Sequence, residues 1–462
     1  MDIKSQKFWI EILDPVESLM SPALSEIVAP ELSYKAVFYK PGPFHKTRKE
    51  YTKSTITKTK DGHLFYTGFV PRIVKICEKE DIRIYGDLSS AMGGEYVVDF
   101  SLPAGMEYRP FQKELIKTAL FKGRGVLKAP TGTGKTFLGL SLIYTLQKQA
   151  SGVLWLCHTK DLMSQTAKEA EKFFPRQVGC IGDSSCITEK FLTVATRQSF
   201  IKLVDDLGTA YDVVIVDETH HISSFSGAYP EILAKVMAPI RIGLTATTRT
   251  EQESLLAMEA FIGPVIGEFT IDEGREQGYM AHPKIRLIKL TKNQTVNELR
   301  KYDEVYEAGV VRNLERNRII MQCVKEYSEA GKSNLIVVNK ITHGRLLQSL
   351  MQHNGIESVF VEGSTDTENR DLAKKYLNER NLKCVICTTV WKEGINIPEL
   401  DVVINAAGGR SELVTLQSIG RGLRRTATKE ELIIVDFFDE SHKYLITHFG
   451  NRVCLYMEMG WM

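Results

Sequence analysis

The segment Ala129–Thr136, APTGTGKT, restricts the possible folds of this chain more than any other. It follows the apolar run Gly125–Lys128 and opens a helical segment, so a strand, a tight loop and a helix occur in that order. Gly132 and Gly134 allow backbone amides to turn inward around phosphate oxygens. Lys135 can then reach terminal phosphates, and the Thr136 hydroxyl can reach magnesium. Pro130, Thr131 and Thr133 complete the cradle. Ala129 stands where the strict pattern begins with glycine, one departure from it.

A strand that feeds such a loop belongs to a parallel sheet, and the sequence supplies the rest of one. Short apolar runs alternate with helical segments at Gly125–Lys128, Val153–Cys157, Phe191–Ala195, Val213–Val216 and Arg241–Leu244. Uninterrupted runs such as Val213–Val216 are typical of parallel strands covered on both faces. A second set follows at Asn334–Val338, Val359–Val361, Cys384–Cys387, Val402–Asn405 and Leu432–Asp436. Thr270–Ile285, with Gly274, Gly278 and Pro283, lies between the sets and reads as a linker. The first hundred residues have another texture. Their β-like runs are Tyr34–Tyr39, Ser54–Thr57, Ile82–Tyr85 and Glu95–Phe100, with one helix at Pro71–Lys79. The expected fold is α/β: two tandem RecA-like, doubly wound parallel-sheet domains, preceded by a small α+β domain. The expected limits are 1–100, 101–280 and 281–462 within the 462 residues.

Two further clusters fit the chemistry of the loop. Val216–His221, VDETHH, ends the apolar run that starts at Val213. Asp217 is placed to hold magnesium through water, and Glu218 to polarise the water that attacks a nucleoside triphosphate. His220 is a candidate link from this site to the second domain, while His221 can simply pack. In the second set, Gln417–Arg425 reads QSIGRGLRR, and Arg421 and Arg424 fall on one helical face. Such a cationic pair stabilises charge on a transferred phosphoryl group. ATP and Mg2+ are therefore the expected cofactors.

These motifs, in this order from Tyr108 to Asp439, resemble those of superfamily 2 helicases, with DETH of the DExH class. The resemblance implies that Arg109 and Gln112, in YRPFQ, lie at the adenine. It also implies that Gly394 and Asn396, in CTTVWKEGINIP, lie near the nucleotide, and that Gln417 acts beside Arg421 and Arg424. Many relatives carry Asp where Asn396 stands; a carboxamide can still accept a hydrogen bond. The implied contacts to a nucleic-acid strand are His158, Thr159 and Lys160 in LCHTKDL, Thr196 and Arg197 in VATRQSF, Lys340 in IVVNKITHGRLL, Gly363 and Ser364 in VEGST, and Thr388. LTATT, Leu244–Thr248, resembles the segment that couples hydrolysis to movement. RPFQKELI, EGREQGYMAHPKI, VVRNLERNRII and IVDFFD are similar to segments of a narrower group, the UvsW-type and XPB-like DNA helicases. That resemblance implies action on forks and branched DNA, in recombination, repair or replication.

Composition adds the remaining limits. Net charge is only +2, so any footprint on nucleic acid is local. Lys35, Lys40, Lys46, Arg48, Lys49, Lys53, Lys58 and Lys60 face only Glu50 across one stretch, with Tyr39, Phe44 and Tyr51 interleaved. This reads either as a phosphate-backbone contact, centred on Lys46, Arg48 and Lys49, or as a solvated hairpin face. The eight cysteines are scattered, and Cys384 and Cys387 read as core within a strand. No apolar run approaches the roughly 20 residues of a membrane span, and no signal peptide is evident, so a cytoplasmic protein acting on DNA is expected. An RNA helicase, a duplex translocase that does not separate strands and a non-hydrolysing clamp are the alternative readings.

Overall fold

A computed structural model describes residues 8–40, 47–92, 96–130, 132–182, 185–248, 251–388, 397, 399–409, 429, 431–458 and 461–462. The chain divides into two compact units: Met1–Ala129 with Lys135–Phe269, and Thr270–Met462 with the short loop Pro130–Gly134.

The first unit opens with a small sheet of β1 (Phe8–Ile12), β2 (Glu17–Met20), β5 (Thr57–Lys58), β6 (His63–Tyr66) and β7 (Ile84–Tyr85), in the order β5-β6-β2-β1-β7. Between β2 and β5, β3 (Ser33–Lys40) and β4 (Thr47–Ser54) form a separate antiparallel ribbon. The expected helix is present at Val70–Lys79, with Pro71 in its first turn, where no N–H is needed. Two expectations fail here. Ser54–Thr57 is the junction of β4 and β5, because Thr55 N–H turns back to the Leu32 carbonyl at 3.1 Å. Tyr96–Phe100 forms no strand. Val97 is 74% exposed, and its N–H and C=O are met by the side-chain amide of Gln149, each at 3.0 Å, so no ladder is needed.

The main sheet of this unit contains β8 (Arg124–Lys128), β9 (Val153–Cys157), β10 (Val178–Gly182), β11 (Ser185–Cys186), β12 (Leu192–Thr196), β13 (Val213–Asp217), β14 (Ile240–Thr245) and β15 (Val265–Glu268). Their order is β11-β10-β12-β9-β13-β14-β8-β15, and every pairing except β10 with β11 is parallel. β9, β12 and β13 are buried at every position, as the continuous apolar runs require. One hydrophobic core runs from Phe8, Met20, Phe69 and Ile73 of the N-terminal part to Val126, Leu154, Val214 and Phe261 of the main sheet.

Arg124 and Arg241, neighbours in register on β8 and β14, sit inside this unit and donate to backbone carbonyls, and the Asp14 carboxylate also favours the charge of Arg241. Arg241 donates to the carbonyls of Ala238, Leu233, Phe261 and Val236. Arg124 donates to Ile262 O and to Pro15 O, both at 3.0 Å, which ties the N-terminal part to the sheet. Burial lowers their pKa values to about 9 for Arg124, with help from Arg241, and about 10 for Arg241, so both stay cationic near neutral pH. Carbonyls at helix ends supply the negative potential that they need.

The second unit holds one parallel sheet of β16 (His282–Lys289), β17 (Asn334–Val337), β18 (Val359–Val361), β19 (Cys384–Cys387), β20 (Val402–Asn405) and β21 (Glu431–Phe438), in the order β16-β21-β20-β17-β19-β18. Cys384 and Cys387 are buried in β19. Thr270–Ile285 is not a plain linker: it contains the helix Ile271–Glu276, capped by Thr270 and Glu273, and the start of β16. Pro283 fits there because, among the described residues, β16 is an edge strand paired with β21 alone. Beneath the sheet, Asp436 receives Arg452 Nε at 2.7 Å, Arg452 Nη2 at 3.0 Å and the Tyr456 hydroxyl at 2.9 Å. Among the described residues, no helix is long and apolar enough to cross a membrane.

Candidate functional site

Parallel strands bring the loops at their carboxyl ends to one edge of the sheet. In the first unit, β13, β14 and β8 are consecutive neighbours. Their carboxyl ends carry Asp217–His221, Thr245–Thr248 and the loop that leads to Lys135. The next pair along the same sheet, β9 and β12, ends in His158–Lys160 and Thr196–Arg197. Lys135, Asp217 and Glu218 thus occupy one half of this edge, and His158–Lys160 with Thr196–Arg197 the other.

The loop after β8 has Gly132 and Gly134 at φ +90° and +89°, backbone that side-chain-bearing residues rarely adopt. Thr133 is buried, and its hydroxyl donates to the Pro130 carbonyl at 2.7 Å. Lys135 and Thr136 start the helix Lys135–Leu146, whose free N-terminal amides suit an anion. Ala129 N–H donates to the Thr245 carbonyl at 2.9 Å, which ties the loop's start to the end of β14.

Glu218 is held in the left-handed region at φ +50°, a conformation that carries strain for any residue except glycine. Asp217, 4% exposed, accepts the Glu218 N–H at 2.9 Å. His220 Nδ1 lies 3.4 Å from Glu218 Oε2 and 3.1 Å from Thr245 Oγ1. Burial would raise the Glu218 pKa, but Lys135, followed by His220 and His221, outweighs it and holds the group at about 2. The result is an ionised carboxylate beside a lysine, in a buried corner.

Thr219 fixes this turn to the sheet. Its Oγ1 lies 2.9 Å from the Val216 carbonyl and 3.2 Å from the Leu244 carbonyl. A Cβ on Gly243 would stand 2.5 Å from that same Oγ1. Gly243→Ala should therefore cost about 1–3 kcal/mol, as overpacking does. Denaturant midpoint and ATPase rate should both fall; an unchanged rate would show that the turn tolerates displacement.

Magnesium needs only one or two protein oxygens when phosphates and water complete its shell. Asp217 and Thr136 fit that requirement, since the carboxylate stands at a strand end and the threonine opens a helix. Gln112 is buried, and its side-chain oxygen accepts the Arg109 N–H at 2.9 Å, capping the helix Pro110–Lys122.

On the other half of the edge, His158 stacks on His221 with ring centroids 3.5 Å apart. The Thr159 hydroxyl caps the helix Lys160–Phe173, and Lys160 is exposed. Thr196 is buried and donates its hydroxyl to Ser199 at 3.0 Å. Arg197 lies 5.5 Å over the Tyr229 ring. In the second unit, β17, β19 and β18 are neighbours and end in Lys340, Thr388 and Gly363–Ser364. Lys340 is 3.5 Å from Glu307, and Thr388 is buried. The Ser364 hydroxyl donates to Glu362 at 2.9 Å, and the Gly363 carbonyl accepts Arg370 at 2.9 Å. Arg48 and Lys49 lie on β4, and only the backbone of these two residues is described. Lys46, Thr131, Gly394, Asn396, Gln417, Arg421 and Arg424 lie outside the described residues.

Sequence reading did not anticipate the contact of His220 with Thr245 inside the first unit. The signal available was Thr245 at the carboxyl end of a run adjacent to Val213–Asp217. Nor did it find the buried Arg241, or Arg124, whose partners Ile262 and Pro15 are backbone carbonyls distant in sequence.

Two family descriptions match the chain: "Type III restriction enzyme, res subunit" over residues 105–250 and "Helicase conserved C-terminal domain" over residues 315–426. The DNA 3'-5' translocase XPB2 of Sulfurisphaera tokodaii is 26% identical over 396 residues, 77% of this chain and 88% of that one. The ATP-dependent DNA helicase uvsW of Enterobacteria phage T4 is 22% identical over 402 residues, 81% of this chain and 79% of that one. Among solved structures, S. cerevisiae Dbp5 bound to RNA and ADP BeF3 aligns with a TM-score of 0.58 at 17% identity, covering 78% of this chain and 89% of that one. At that identity the likeness is one of fold.

Proposed function

We propose, from the chain's place as a superfamily 2 helicase resembling the UvsW and XPB-like branch, that it is an ATP-driven DNA helicase acting on forked or branched DNA. The observation that carries this reading is the corner at the ends of β8, β13 and β14, where Lys135 and His220 act on a strained, ionised Glu218.

Phosphates rest on the amides of Gly132–Lys135, with Lys135 neutralising charge on the terminal groups. Glu218 orients a water and accepts its proton as that water attacks the γ-phosphorus, while the bond to the β–γ bridging oxygen breaks and its electrons leave on ADP. Asp217 and Thr136 would hold a magnesium ion, which would supply charge neutralisation on the phosphate oxygens. Arg421 and Arg424 stabilise the transferred phosphoryl group, as their resemblance to the finger motif implies. The edge residues from His158 to Arg197, with Lys340, Gly363, Ser364 and Thr388, hold one strand through its sugar-phosphate backbone, without reading sequence. The β3–β4 ribbon holds duplex beside it; a two-stranded ribbon fits the major groove, and Lys35 and Lys53 add charge at its base. Branch migration in recombination, repair or replication is the process that such a grip serves.

The test is a panel of forks, four-way junctions, plain duplex and single-stranded RNA, with ATP hydrolysis and strand separation both recorded. Forks and junctions should stimulate hydrolysis most and be unwound. Stronger stimulation by RNA would sink the DNA assignment. Movement along duplex without strand separation is the second reading, favoured by the restriction-subunit match and the translocase relative. It predicts triplex displacement with no unwinding in the same panel.

A further inference from the structure

The base of the basic ribbon is attached to both segments that leave the catalytic corner. Tyr34 on β3 is 2% exposed and stacks on Phe225, with centroids 5.6 Å apart and an interplanar angle of 11°. Phe225 belongs to the loop that follows the Glu218–His221 turn. That turn is hydrogen-bonded through to Ile222: His221 N–H reaches Glu218 O at 3.0 Å, and Ile222 N–H reaches Thr219 O at 2.9 Å.

The other attachment comes from the helix Gln252–Phe261, which follows the LTATT segment. Gln252 Nε2 donates to Ser33 O at 2.9 Å, at the root of β3. Ser254 Oγ donates to Ser223 O at 3.0 Å, two residues before Phe225. Lys53, the register partner of Tyr34 on β4, lies 5.9 Å from the centre of the Tyr34 ring. The stack is not closed in on every side: a cleft of about 500 Å3 is lined by Tyr66, Phe225, Gly227 and Phe261.

We propose that the Tyr34–Phe225 stack is a relay, through which duplex bound at the ribbon sets the position of the Glu218–His221 turn and raises the rate of hydrolysis. This rests on the reading that the ribbon grips duplex. Phe225 and Tyr34 are positioning residues: neither is among the residues assigned to the nucleotide, and the cleft beside Phe225 gives the ring room to shift against Tyr66 and Phe261. A stack that served packing alone would change stability, and basal and stimulated rates would fall together.

Tyr34→Leu and Phe225→Leu keep apolar volume while removing the stacked ring, and Tyr34→Phe keeps the ring. Hydrolysis is measured without DNA and at saturating forked duplex, duplex affinity by fluorescence anisotropy, and folding by thermal melt. Both leucine variants should keep their basal rate and duplex affinity but lose about fivefold or more of the stimulation. Tyr34→Phe should be stimulated normally. Stimulation retained in both leucine variants overturns the relay, as does an equal fall of basal and stimulated rates. A separate arm tests the premise: Lys35→Glu with Lys53→Glu should weaken duplex binding and flatten its dependence on salt. Unaltered affinity there overturns the ribbon's grip itself, independently of the stack.

Discussion

Glu218→Gln should lower ATP turnover about a thousandfold while ATP still binds, a loss in the range that removal of a general base produces. The amide keeps the shape of the side chain but can neither take the proton of the attacking water nor pair with Lys135. Binding is checked with a fluorescent ATP analogue and turnover by phosphate release; hydrolysis at the parental rate would remove Glu218 from its role. The pH dependence has a definite sign. The folded-state pKa of about 2 lies below the ordinary carboxylate value of 4.5. Its stabilising contribution is therefore complete above 4.5 and is lost as the pH falls toward 2. A loss of activity between pH 5 and 7 in the parental chain must then arise from another group.

The largest effect on stability is expected at Arg452. The Arg452–Asp436 pair is almost wholly inside the second unit, with side chains 3% and 0% exposed. Arg452→Met leaves Asp436 charged, buried and short of two donors, at a cost of about 3–5 kcal/mol. Adding Asp436→Asn should recover much of that loss, since the charge is then gone. Urea denaturation followed by a probe in the second unit would record both; a double variant no more stable than the single would show that packing, not charge, dominates. Tyr456 should share in the effect, because its hydroxyl also donates to Asp436.

The two largely parallel sheets were legible because their strands are uninterrupted apolar runs, and the turn before Lys135 because its glycines answer a backbone requirement. β10 and β15 were missed for the converse reason. Val178–Gly182 and Val265–Glu268 are short, contain glycine and are only partly buried, so no run stands out. The segment between the units was read as a linker from its Gly and Pro, yet an edge position makes Pro283 acceptable in a strand. At the site, Lys135, Asp217 and Glu218 were legible as local patterns. The bridge from His220 to Thr245, the stack of His158 on His221 and the bonds of Arg124 to Ile262 and Pro15 join residues distant in sequence. Periodicity carries no trace of such contacts.

The core shared by the N-terminal part and the first main sheet has a consequence for how such chains can diversify. The family match begins at residue 105, as though everything before it were an exchangeable attachment. Yet Phe69 and Ile73 lie in the same apolar interior as Phe261, and Pro15 supplies an acceptor to Arg124. A transplanted front end would have to bring a matching apolar face and a carbonyl for that guanidinium. The front end and the motor are therefore bound to change together, each substitution at their seam constraining the next.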